Sequence, residues 1–145
     1  MEIFVSDDSW KDLYKIQYER IAKHEDERLR FSGLVVIITS AVLAYLSKID
    51  VVNVPILLLM GGFLVAINLT AIQFIRKSRY WVGFHQKRAK ALLENNSEKL
   101  FIQLYSVEKK DSEGDLFRRP NLQINLHNAI LVITILHILI TAFYV

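Results

Sequence analysis

The sequence predicts an all-α membrane protein with three transmembrane helices, an N-terminal amphipathic cytosolic helix, and a long helix extending from the second span into the cytosol. Three observations predict it. Hydrophobic residues make up 52% of the chain and gather in blocks rather than at the spacing of a soluble core. Residues 56–75 carry no charge, and roughly twenty apolar residues rising about 1.5 Å each cross a hydrocarbon layer about 30 Å thick. Of the 18 Lys and Arg residues, six precede residue 31, eleven lie within 76–119, and only Lys48 falls between. By the positive-inside rule, that asymmetry puts the N-terminus and residues 76–119 in the cytosol and the C-terminus on the far side of the membrane.

Four segments follow in order. Residues 1–30 are polar and read as a mature cytosolic N-terminus rather than a signal peptide. Within them Ser9 suits an N-cap, and Asp7, Asp8 and Asp12 suit the positive end of a helix dipole. Trp10, Leu13, Tyr14, Tyr18 and Ile21 recur at helical spacing as an apolar stripe, with Lys11, Lys15, Glu19, Lys23 and Asp26 opposite. Residues 31–76 form a transmembrane hairpin. Its first arm places Gly33, Ser40, Ala44 and Ser47 within about 60° of one another, a small-residue face for close packing. Lys48 and Pro55 bracket the turn, and Gly62 with Ala66 makes a second small pair. Asn68, Thr70 and Gln73 lie deeper, as hydrogen-bonding groups or as the lining of a watery path.

Residues 77–119 continue the second span as a basic cytosolic helix to about Leu93. A short helix or a strand then covers 97–109, and a polar loop covers 110–119. Residues 120–145, opened by Pro120, form the third span. There His127, Thr134, His137 and Thr141 share an arc of about 80°. This stripe reads either as a pore lining built from several copies of the chain or as hydrogen bonding within one bundle.

Catalytic chemistry has no foothold. The chain contains no Cys, and His24, His85, His127 and His137 include no helical ligand pair at i,i+3 or i,i+4. With no phosphate-cradling glycine loop and no nucleophile elbow, neither an enzyme nor a metal nor a cofactor is expected. The polar run His24-Glu25-Asp26-Glu27 reads as a solvated face.

The long helix offers a binding surface instead. Arg76, Arg79, Lys87 and Lys90 lie within about 80° of one another, with Tyr80 and Gly83 on the same face, Trp81, Phe84 and His85 interleaved nearby, and Arg88 adjoining Lys87. Cations interleaved with aromatic rings grip phosphates and stack bases, whereas cations at the end of a span anchor it to anionic lipid. Both readings apply to Arg76, Lys77 and Arg79; the anchor explains Lys87, Arg88 and Lys90 less well.

Tyr14, Gln17-Tyr18-Glu19-Arg20-Ile21, His24-Glu25 and Arg28-Leu29-Arg30-Phe31-Ser32, leading into a hairpin, resemble the opening of small bacterial membrane proteins of the SLATT-like kind. The resemblance covers residues 10–95, with the Hailong membrane effector as one related type. The third span departs from a two-span pattern. The resemblance implies an effector encoded beside a nucleotidyltransferase in an anti-phage system, forming pores and answering to an oligonucleotide made by that enzyme. The expected protein is therefore a homo-oligomeric channel or pore-forming effector in lipid, gated by a cytosolic nucleotide or oligonucleotide. A non-conducting adaptor that recruits a cytosolic protein partner through 76–119 is the alternative, and a subunit of a larger membrane complex a third.

Overall fold

The computed structural model describes residues 9–48, 53–97, 99–100 and 119–144. Three helices carry them: α1 (Ser9–Leu46), α2 (Val54–Asn96) and α3 (Arg119–Tyr144). All three are long and apolar enough to cross a membrane. At about 1.5 Å per residue, the 38 residues of α1 and 43 of α2 extend about 57 and 65 Å. A hydrocarbon layer of about 30 Å leaves nearly half of each outside it. The compositional boundary expected at residue 30 is no structural break, because no Pro and no internal cap interrupts α1. Most of 97–109, and the loop at 110–118, lie outside the described residues.

Local groups end α1 and open α2. The Ser47 backbone N–H donates to the Leu43 carbonyl (3.0 Å), and that of Lys48 donates to Tyr45 (3.1 Å). Asn53, with extended backbone, opens α2 without a side-chain cap, and Pro55 occupies the first turn, where a missing N–H has no intrahelical partner to lose. At the other end, Ser97 N–H donates to the Leu93 carbonyl at 2.8 Å.

Burial follows a three- and four-residue rhythm along most of α1 and α2. In α1 it runs through Gln17, Ile21, Arg28, Ser32, Val35, Thr39 and Leu46. In α2 it runs through Leu57, Gly61, Leu64, Asn68, Ala71, Ile75, Ser78, Val82, His85, Ala89 and Leu93. This is the rhythm of helices that pack side by side over many turns. The pair runs antiparallel: Phe31 meets Phe74 with ring centroids 4.8 Å apart. Further along, Ser78 Oγ donates to the His24 carbonyl at 2.9 Å. Helix α3 packs chiefly on α2 and touches α1 only along a narrow strip.

Within the spans the polar side chains turn inward among apolar ones, and the outer faces are chiefly apolar. Leu59 is 74% and Ile37 67% exposed, whereas Thr39, Asn68, His127 and Thr134 are at most 1% exposed. Lipid solvates the outer apolar side chains, so burying them gains little, and hydrogen bonds and close contact decide which face turns inward. The small-residue faces do not pack within the subunit. Gly33, Ser40, Ala44 and Ser47 are exposed, as are Gly62 and Ala66. Gly61 is the glycine that packs: a Cβ there would run into the Ile138 side chain. Of the N-terminal apolar stripe, Ile21 is buried and Trp10 and Tyr14 are half-buried, while Leu13 and Tyr18 face outward.

Candidate functional site

Beyond the apolar stretches, α1 and α2 leave a cleft of about 480 Å³ lined by Ile16, Gln17, Arg20 and His24 from α1 and Trp81, Phe84, His85 and Arg88 from α2. Helical spacing assembles each wall. Gln17, Arg20 and His24 stand one turn apart on α1, as do Trp81, His85 and Arg88 on α2, so each set shares a face. At the base, His85 Nδ1 lies 2.8 Å from Gln17 Oε1 in a buried contact. The Gln17 Nε2 group is turned back to the Leu13 carbonyl at 3.4 Å, which leaves Oε1 as the acceptor and His85 Nδ1–H as the donor.

Aromatic rings line the cleft. The His24 ring stacks on His85 at 5.7 Å and on Trp81 at 6.4 Å between centroids. Trp81 meets Phe84 edge to face at 5.7 Å, and the Arg88 guanidinium lies 4.9 Å from the Phe84 ring centre. Burial first, then the neighbouring His24, Arg20 and Arg88, hold the His85 imidazole below its ordinary pKa. Two guanidiniums, two imidazoles and a run of rings make this cleft suited to a planar anion, which cations attract and rings stack. Among the described residues no group of three His, Asp or Glu side chains gathers as a metal would require.

The predicted ligand residues divide. Trp81 and Arg88 line this cleft. Arg79, Tyr80 and Lys87 line a smaller one of about 280 Å³, together with Gly83 and Phe84. Arg76 and Lys90 lie on the exposed surface of α2 and line neither cleft. Sequence reasoning missed Gln17, Arg20 and His24 as binding residues, and took His85 only as a ring beside the basic stripe. The signal was present, since His24 falls on the face of Gln17 and Arg20, but only helix pairing brings it to His85.

A second constellation lies within the spans. His127 of α3 joins α1 and α2: its Nε2 is 2.9 Å from Ser32 Oγ and its Nδ1 is 2.8 Å from Asn68 Oδ1. The Asn68 Nδ2 group donates to Thr39 Oγ1 and to the Leu64 carbonyl, each at 2.9 Å. Thr39 passes its own hydroxyl proton to the Val35 carbonyl at 2.8 Å.

Of the four residues expected along the third span's polar stripe, His127 is thus engaged in hydrogen bonds between helices. Thr134 is buried and donates to the Ile130 carbonyl at 2.8 Å. His137 and Thr141 are half-buried, and Thr141 Oγ1 donates to the His137 carbonyl at 2.8 Å. Thr70 bonds the Ala66 carbonyl on the exposed side of α2, and Gln73 is also exposed. The chain is a multi-pass membrane protein by its three spans, and no family model, curated protein or solved structure matches it.

Proposed function

We propose that the chain is a homo-oligomeric membrane channel or pore-forming effector, opened or closed by a phosphate-bearing nucleotide or oligonucleotide at the cleft between α1 and α2. One observation carries the reading. The cationic, ring-lined cleft is built on the same two uninterrupted helices that enter the membrane, so an occupant that changes their spacing acts directly on the spans. In this reading the cleft faces the cytosol of a bacterium, as the distribution of basic residues favours. The resemblance to SLATT-like effectors extends it to antiviral defence.

The adaptor reading has its own support. His127 and Thr134 are spent inside the subunit, which leaves fewer polar groups to line a path between copies. Planar-bilayer recordings of the purified protein, with and without short oligonucleotides, separate the two. Ligand-dependent conductance that disappears in Arg20→Gln and Arg88→Gln supports the channel. Ligand binding without conductance supports the adaptor, and no binding at low salt removes the ligand from both. Thiol labelling of Lys48→Cys and Asn95→Cys in intact cells tests the orientation: only position 48 should react with an impermeant reagent.

A further inference from the structure

A further hollow of about 200 Å³ lies between α1 and α2 nearer the apolar stretches, lined by His24, Glu27, Phe74, Lys77, Ser78 and Trp81. It shares His24 and Trp81 with the 480 Å³ cleft but takes in neither Arg20 nor Arg88. Its charges are instead one carboxylate on α1 and one ammonium on α2. Such a pair suits a ligand that itself carries both signs.

The chain sets the depth of this hollow. The uncharged run of α2 ends at Ile75, two residues before Lys77, and that of α1 starts at Phe31, four residues after Glu27. At about 1.5 Å per residue, the two charges lie about 3 and 6 Å outside the apolar layer. Headgroups occupy about 5–7 Å on each side of a bilayer, so both charges stand at their level. Phe74, inside the uncharged run and 4.8 Å from the Phe31 ring, borders the hollow on the acyl-chain side. Trp81, on the opposite side, is a ring type suited to the membrane–water boundary.

Both charges keep capacity for a ligand. Glu27 Oε1 is 3.9 Å from Lys23 Nζ and Oε2 is 3.8 Å from His24 Nδ1, each beyond hydrogen-bond range. Lys77 is exposed and enters none of the ion pairs among the described residues. Ser78 Oγ donates to the His24 carbonyl at 2.9 Å, which fixes the spacing of the two walls.

We propose that this hollow binds the headgroup of a phospholipid bearing a primary ammonium, with its phosphate at Lys77 and its ammonium at Glu27. Charge-assisted N–H···O bonds then form at both ends. A trimethylammonium headgroup has no N–H to donate to Glu27, and a glycerol headgroup offers it no cation. The acidic wall therefore selects among lipids, while the acyl chains pass Phe74 into the hydrocarbon layer.

The test uses the full chain purified in uncharged detergent. Its thermal midpoint is followed as short-chain phosphatidylethanolamine, phosphatidylcholine, phosphatidylglycerol or glycerophosphoethanolamine is added. Phosphatidylethanolamine should raise the midpoint saturably, and at a lower concentration than the other three. Glu27→Gln should raise its half-saturating concentration roughly tenfold, to the level of phosphatidylcholine, through loss of one charge-assisted contact. Glu27→Lys should reverse the order in favour of phosphatidylglycerol. Asp26→Asn, next to Glu27 but exposed and 2.9 Å from Arg30, should change the value less than about twofold. Equal responses to phosphatidylethanolamine and phosphatidylcholine in the unaltered chain, or equal losses in Glu27→Gln and Asp26→Asn, would overturn the site. Saturation by glycerophosphoethanolamine at the same concentration would overturn the lipid as occupant.

Discussion

His127 Nδ1 and Asn68 Oδ1 face each other at 2.8 Å across the α2–α3 boundary, and the other end of the amide decides which atom carries the proton. Asn68 Nδ2 points at the Leu64 carbonyl, which only accepts, so Oδ1 is the atom turned to His127. His127 therefore donates from Nδ1. In the neutral ring its Nε2 is then an acceptor, and Ser32 Oγ supplies the proton. An uncharged imidazole thus gives each of the four side chains in this network a partner. Asn68→Ala should lower stability in detergent by roughly 0.6–2 kcal/mol, and His127→Ala by a similar amount. The double variant should lose less than the sum, since both remove one shared bond. Strict additivity in thermal or denaturant unfolding would show that the two do not interact.

Gly61 offers a steric test of the same boundary. Replacing it with Leu forces side-chain atoms into the space of Ile138, and overpacking of this kind costs about 1–3 kcal/mol. Ile138→Ala should recover much of the loss by vacating that space. Gly62→Leu, one position on and facing open space, should be close to neutral. If Gly61→Leu and Gly62→Leu behave alike, α3 does not pack where described.

The fold class was readable because lipid imposes it. Twenty uncharged residues in a row leave few options, and Pro120 marked the start of α3 to within a residue. Which face turns inward was far less readable. In a soluble helix apolar residues mark the inner face, but here both faces of a span are apolar and the few hydroxyls and amides do the marking. The buried Ser32, Val35 and Thr39 lie roughly 100–160° from the centre of the Gly33, Ser40 and Ala44 arc on the wheel, and composition alone did not pick them out. Of the polar arc on the third span, His127 and Thr134 are the buried members, and the sequence left their partners open. In the cleft, Trp81 and Arg88 announced themselves by type. His24 did not, since it stands 61 residues from His85 and meets it only through the register of α1 on α2.

The cleft should respond to pH in a set direction. His85 in the folded protein binds its proton less readily than in the unfolded chain, through burial first and neighbouring cations second. Its stabilising contribution is then fully present above the ordinary imidazole pKa of about 6.5 and is lost as pH falls below it. Between pH 8 and 5 the thermal midpoint should drop, and His85→Gln should flatten the drop. A bound anion has the opposite effect on the imidazole, so anion affinity should rise over the same interval. A midpoint that climbs on acidification without ligand would contradict the burial of His85.

The outward small-residue face remains open to a second copy. Gly33 has nothing within 4 Å of its absent Cβ, and Ser40 and Ala44 are exposed beside it. If copies associate there, Ser40→Leu and Ala44→Leu should shift the detergent-corrected mass toward the monomer without lowering the midpoint of the subunit. Unchanged mass in both would assign this face to lipid.

The uninterrupted course of α2 has a mechanical consequence. Between Leu57 and Leu93 it contains no Pro, no cap and no change of packing rhythm, and so nothing at which it could hinge. Such a helix transmits rotation as an axle does. A roll of about 20° imposed at His85, acting at a side-chain radius of about 6 Å, displaces groups along the shaft by about 2 Å. At Asn68 that is enough to part Oδ1 from His127, the α3 residue that bonds to this amide and to Ser32. Torque at the cleft and release of the third span would then be one motion.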